Sequence, residues 1–105
     1  MADEAAKHVI VVGLEVTDDA HYASYRARIT PLLERMGGRF GYDFVVSRVL
    51  KSEDTTAINR VFTMRFPSRK TRETFFADAD YRRARAELFE RAVKSTTFIS
   101  EYDEA

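Results

Sequence analysis

Residues 9–38 constrain the fold more than any other stretch of the chain. They run VIVVGLEV, then Thr17-Asp18-Asp19, then a periodic segment that ends at Gly37-Gly38. The opening run is β-branched or aliphatic and too short for an ordinary helix. It reads as a strand buried on both faces over much of its length. Thr17, Asp18 and Asp19 supply N-cap side chains and negative charge for a helix N-terminus. After them Tyr22, Tyr25, Ile29, Leu32, Leu33 and Met36 recur at steps of three and four, which makes one apolar helical stripe. Pro31 lies inside that stripe, removes a backbone donor and predicts a kink near Thr30. Gly37-Gly38 ends the helix, because glycine enters the left-handed region without a Cβ clash.

The remaining pattern continues the same plan. Residues 39–51 read as a long second strand, and Lys51–Thr56 as a polar connection. The run AINRVFTMRF, residues 57–66, reads as a third strand, hairpinned to the second through a short connection. Pro67 stops that strand and Ser68 can cap a second helix bearing Phe75 and Phe76. A break is expected at Asp78-Ala79-Asp80, then a further helix with Tyr81, Ala84, Leu88, Phe89 and Ala92 facing inward. The segment STTFISEY, residues 95–102, is the last expected strand, with residues 1–7 and 103–105 frayed.

The order is β-α-β-β-α-β: an α+β, ferredoxin-like sandwich in one domain spanning residues 1–105. Right-handed crossovers place both helices on one sheet face. The alternation leaves the other face partly apolar. Ile10, Val12, Leu14 and Val16 oppose Val9, Val11 and Gly13, while Phe62, Met64 and Phe66 oppose Val61, Thr63 and Arg65. Four strands roughly 20 Å long at ~4.8 Å spacing give an open face of about 400 Å². A semi-apolar patch of that size predicts a homodimer packed sheet on sheet. A chain of 105 residues gains from such burial, because small domains bury a modest share of their surface alone.

Charge and composition narrow the partners. Lys+Arg 17 against Asp+Glu 17 gives zero net charge, and the balance holds in each half of the chain. Nucleic acid and anionic membrane are therefore not expected partners. The Arg69–Arg72 run is followed at once by Glu73 and reads as a solvated helix start. Without cysteine there is no disulfide, thiolate nucleophile or Cys-based zinc site. The N-terminal MADEAAKH is polar and unlike a signal peptide, and no apolar run approaches the ~20 residues that span a bilayer. A cytoplasmic protein is the expectation.

Taken together, VIVVGLEVTD, Tyr22 and Tyr25, Pro31-Leu32-Leu33-Glu34 leading into Gly37-Gly38-Arg39-Phe40, Met64-Arg65-Phe66-Pro67-Ser68, and Phe75-Phe76 through Asp80-Tyr81-Arg82 resemble the domain-of-unknown-function 1330 family. The resemblance covers nearly the whole chain. It implies a ferredoxin-like protomer of the dimeric α/β-barrel superfamily, in which two sheets form a barrel. The pattern departs after Gly38, where Gly41-Tyr42-Asp43-Phe44 replaces the family's glycine-containing turn. The superfamily includes cofactor-free monooxygenases, muconolactone isomerases, haem enzymes and ligand-sensing domains, and membership selects none of them.

The residues that could carry chemistry are few. His8 and His21 have no second ligand at metal spacing, and Asp18 and Asp19 are explained as caps, so no metal and no cofactor is expected. Tyr22 and Tyr25 share the buried helix face. They are either packed core or hydroxyls facing a cavity between helix and sheet, able to orient a carbonyl or phenol. Arg48 and Arg60 fall on the parity of large apolar neighbours and need partners. An acidic side chain such as Asp43, Glu15 or Glu101 would serve, as would a ligand carboxylate held by the guanidinium fork. The expected pocket is thus Tyr22, Tyr25, Tyr42, Arg48 and Arg60, taking a compact aromatic or carbonyl compound. The alternative is a non-catalytic dimeric module for sensing or assembly, with the same tyrosines packed and the arginines paired internally. Whether the chain is an enzyme stays open.

Overall fold

β1 (Lys7–Val16) is one of the two interior strands of the sheet. The computed structural model describes residues 6–104, with elements in the order β1, α1 (Asp19–Arg35), β2 (Arg39–Val45), β3 (Arg60–Phe66), α2 (Arg69–Ala77), α3 (Ala79–Ala84), a π-helical turn (Arg85–Phe89), α4 (Glu90–Ala92) and β4 (Val93–Glu104). The four strands lie in the order β2-β3-β1-β4, and every neighbouring pair is antiparallel. This is the α+β, ferredoxin-like arrangement, with the helices packed on one face. No helix among the described residues is long and apolar enough to cross a membrane.

The two faces of β1 separate as its alternation predicts. Ile10, Val12, Leu14 and Val16 are buried beneath the helices with Phe62, Met64 and Phe66 of β3 and with Tyr22, Tyr25, Ile29 and Leu33 of α1. Phe75, Tyr81, Ala84, Phe89 and Ala92 of the later helices complete that core. On the other face Gly13 leaves room for Ile58 and Ile99, which lie 2.9 and 3.2 Å from where a Cβ would sit.

Local chemistry sets the helix ends. The Asp18 side chain caps α1 by accepting from the His21 backbone N–H at 3.0 Å. That bond holds the Asp18 carboxyl below the usual carboxylate range. The helix continues through Pro31, with the Thr30 hydroxyl donating to the Arg26 carbonyl at 2.6 Å. It closes in a Schellman turn: Gly38 N–H donates to Leu33 O at 2.9 Å and Gly37 N–H to Glu34 O at 3.0 Å, with Gly37 at φ 85°. Ser68 caps α2, and Asp78 caps α3 at the expected break.

Several expected boundaries move. β2 stops at Val45, so residues 46–59 form a long connection where a longer strand and a short turn were expected. Past the stop one bond still joins the two ends of the connection, Val46 N–H donating to Asn59 O at 2.8 Å. The Asn59 side chain accepts from Val16 N–H at 2.9 Å and donates to Val16 O at 2.8 Å, while Asn59 N–H donates to Leu14 O. β3 begins at Arg60, the next residue. β4 is longer than expected, and Lys7, Asp103 and Glu104 are strand residues and not frayed ends. The expected fraying of residues 1–5 and 105 lies outside the described residues.

Candidate functional site

A bulge in β2 decides which side chains meet. Phe40 pairs with Met64 and Asp43 with Phe62, so the register shifts between them. The shift is held by the Thr63 hydroxyl, which accepts from Tyr42 N–H at 2.8 Å. Strict alternation would put Phe40 and Asp43 on opposite faces. The extra residue puts both on the helix side, beside α1.

Asp43 there joins two guanidinium groups. Arg60 Nε donates to Asp43 Oδ1 at 3.0 Å, with Nη2 3.4 Å from Oδ2. Arg26 Nη1 lies 3.1 Å from the same Oδ2 and donates to the Tyr22 hydroxyl oxygen at 3.0 Å. The Arg26 guanidinium stacks 3.6 Å from the Phe40 ring centroid, and Arg60 sits 5.0 Å from that of Tyr22. These groups line an open cleft of about 820 Å³ between α1 and the β2 edge, with Ala23, Ala27, Pro31 and Val45 as its apolar walls. Burial pushes the Tyr22 phenol up, opposed by the Arg26 charge. The hydrogen bond to Asp43 raises Arg60. Tyr22 therefore keeps its proton at neutral pH, and Arg60 its charge.

The five residues expected to form a pocket are distributed over four places. Tyr22 and Arg60 meet at this cleft. Tyr25 turns into the core, where its hydroxyl donates to the Tyr81 hydroxyl at 3.2 Å and burial drives its phenol far above the usual range. It borders a crevice of only about 30 Å³, with Arg85, Phe89 and Phe98 nearby. That volume holds about one water molecule. Tyr42 is exposed and stacks on Phe44 at 5.8 Å, on the side of the sheet away from the helices. Arg48 is an exposed residue of the 46–59 connection, because the strand expected to carry it ends at Val45.

The residues missed were Arg26 and His8. Arg26 sits one helical turn after Tyr22, a spacing that brings the two side chains together and was available as a signal. His8 is fully buried between two carboxylates of β4, with Nδ1 2.8 Å from Asp103 Oδ1 and Nε2 2.7 Å from Glu101 Oε1. Arg72 and Arg69 of α2 approach the same carboxylates at 3.3 and 3.6 Å. Among the described residues no group of three or more His, Asp or Glu side chains is placed to hold a metal ion.

The chain belongs to the family described as domain of unknown function (DUF1330), whose model matches residues 7–102. No curated protein matches it in sequence. Solved structures share its fold. A protein of unknown function from Rhodopseudomonas palustris superposes with a TM-score of 0.80 at 19% identity, over 95% of this chain and 83% of that one. A putative antibiotic biosynthesis monooxygenase from Nitrosomonas europaea gives 0.64 at 18% identity, over 98% and 94%. A dimeric ferredoxin-like protein of unknown function from Thermobifida fusca gives 0.62 at 8% identity, over 98% and 95%. At these identities the likeness is one of fold.

Proposed function

We propose that this DUF1330 chain acts as a cytoplasmic homodimer that binds or converts a small aromatic or carbonyl compound in the cleft between α1 and β2. The observation that carries the reading is the convergence of Arg26 and Arg60 on one carboxylate, Asp43, with the Tyr22 hydroxyl bonded to Arg26, beside an accessible apolar wall. Two oriented guanidiniums and a protonated phenol in a concave site are the usual means of holding a small polar ligand. The dimer is supported by the exposed apolar side chains on the face away from the helices, among them Tyr42, Phe44, Ile99 and Tyr102, and by the dimeric description of the Thermobifida fusca protein. The monooxygenase description of the Nitrosomonas europaea protein is compatible with turnover in this fold. The absence of cysteine suits a reducing compartment.

A second reading, a non-catalytic sensing or assembly module, draws on the packed Tyr25 and on the internal pairing of Arg60 with Asp43. One experiment separates the two. A library of small fragments, neutral and charged, is titrated into isotope-labelled protein and followed by amide NMR. Shifts clustered at Ala23, Arg26, Ala27 and Val45 support the ligand cleft. No clustering there with any fragment overturns it in favour of the module.

A further inference from the structure

The hydrogen-bond inventory of the cleft is one-sided. The Tyr22 hydroxyl oxygen already accepts from Arg26, and its own proton has no acceptor among the described residues. Arg60 spends Nε and Nη2 on Asp43, leaving Nη1 without a partner there. Arg26 spends Nη1, and its buried Nε has no partner. The Thr30 hydroxyl donates to a backbone carbonyl within α1. The Asp43 carboxylate is engaged by both arginines. Asp19, the other carboxylate on the cleft, is exposed in the first turn of α1 and near enough to Arg60 to help raise it. The wall thus offers unused donors on two guanidiniums and a phenol, while the formal charges of Arg26 and Arg60 are balanced by Asp43 and Asp19. Ala23, Ala27, Pro31 and Val45 offer apolar surface beside them.

We infer that the cleft takes a compact monocarboxylate with an apolar body, its carboxylate accepting from Tyr22 and from the free Nη groups of Arg26 and Arg60. The inference rests on reading this cleft as a ligand site and adds the class of ligand. A neutral isostere loses the charge-assisted bonds, and a cation meets two guanidiniums. Asp43 sets the geometry: it fixes both forks, so little side-chain entropy is lost when the carboxylate arrives. The apolar body lies along the alanines of α1, where a larger side chain would close the cleft.

The test compares three probes of one shape on the labelled, full-length protein: benzoate, benzamide and benzylamine. The expected result is that benzoate shifts the amides of Ala23, Ala27 and Val45 and binds at least tenfold more tightly than benzamide. Benzylamine leaves those amides unmoved, and added salt weakens benzoate. Tyr22→Phe keeps the ring and removes only the donor. It is expected to weaken benzoate about tenfold while the rest of the spectrum is preserved. Arg60→Gln, checked for folding in the same spectrum, is expected to abolish saturable binding. Equal affinity for benzamide, or preference for benzylamine, overturns the monocarboxylate class while leaving the cleft a binding site. Unchanged benzoate affinity in Tyr22→Phe overturns the inferred contact with Tyr22. Absence of shifts with all three probes, together with none from the fragment library, removes the cleft as a site altogether.

Discussion

His8 and Asp103 stand opposite each other across β1 and β4, and the His8 ring nitrogen Nδ1 meets the Asp103 carboxylate at 2.8 Å. The other nitrogen meets Glu101 at 2.7 Å, so one fully buried imidazole ties both ends of an acidic pair to the sheet centre. Arg72 and Arg69 bring α2 to the same carboxylates. The hydrogen bond to His8 is the main cause that holds both Glu101 and Asp103 below the usual carboxylate range.

Those depressed values set an acid limb of stability. A carboxyl whose folded pKa lies below its unfolded one contributes above the unfolded value, near 4.5 for Glu101 and 3.8 for Asp103, and loses that contribution as pH falls through the folded value. Urea midpoints are therefore expected to fall on acidification from about pH 5, modestly, because both carboxylates face solvent and are screened. The double variant Glu101→Gln, Asp103→Asn should flatten that slope while lowering the midpoint at neutral pH. An unchanged acid slope in the double variant would show that other carboxylates carry it.

Much of this architecture is legible from alternation and capping, because both are local. The β1 and β3 patterns separate two faces, and Asp18, Gly37-Gly38, Ser68 and Asp78 mark the helix ends. What escapes sequence reading is long-range. The apolar run through Val45-Val46 gives no sign of stopping, and the bonds of Asn59 to the distant Val16 backbone leave no local mark. The bulge after Phe40 needs the Thr63 hydroxyl of the neighbouring strand, and it alone turns Asp43 toward Arg26 and Arg60. The parity argument for Arg48 fails for the same reason: the strand assumed to carry it has ended. His8 is invisible until β4 is known to run to Glu104, which brings Asp103 opposite it.

The Asn59 contact makes a second prediction. Its amide satisfies both the N–H and the C=O of Val16, and Asn59→Ala leaves those partly buried groups without their partner. A cost of about 1–3 kcal/mol is expected from urea unfolding. Hydrogen exchange should quicken at Val16 and Val46 but not at Ile10. Uniform acceleration would mean that the side chain serves global stability alone.

The turn after α1 is intolerant of side chains. A Cβ on Gly38 would sit 2.5 Å from Leu33 Cδ1 and 3.0 Å from the Arg65 carbonyl oxygen, which belongs to the sheet and cannot retreat. Gly38→Ala should destabilise by about 1–3 kcal/mol. Gly37→Ala should cost about 1–2 kcal/mol, the price of a left-handed residue with a Cβ. If the Gly38 variant is neutral in urea unfolding, the close approach of α1 to β3 is wrong.

Tyr25 tests whether a hydroxyl in the core matters for more than packing. Its bond to Tyr81 joins two neutral phenols, so Tyr25→Phe should cost at most about 1 kcal/mol, whereas Tyr25→Ala should cost about 3–5 kcal/mol. The raised phenol adds a pH signature. The folded state favours the protonated form, so its contribution is complete below the ordinary tyrosine value near 10 and is lost as pH rises beyond it. Tyr25→Phe should extend the alkaline limb of the unfolding curve. An ultraviolet titration in which all tyrosines ionise together near pH 10 in folded protein would contradict this burial.

The face away from the helices carries the last prediction. Phe44 is 53% and Ile99 49% exposed, and both lie on the side to which Gly13 and Val61 point. Leaving such side chains in water is unfavourable, and a second sheet at about 10 Å would bury them at roughly 25 cal/mol per Å². Light scattering after size exclusion should report twice the chain mass at micromolar concentration. Phe44→Glu, which places a charge on the packed face of the edge strand β2, should give the monomer mass with the amide spectrum of the helices retained. A monomeric wild type would remove the sheet-on-sheet dimer. A dimeric Phe44→Glu would move the interface to another surface, such as the exposed β2 edge at Val45.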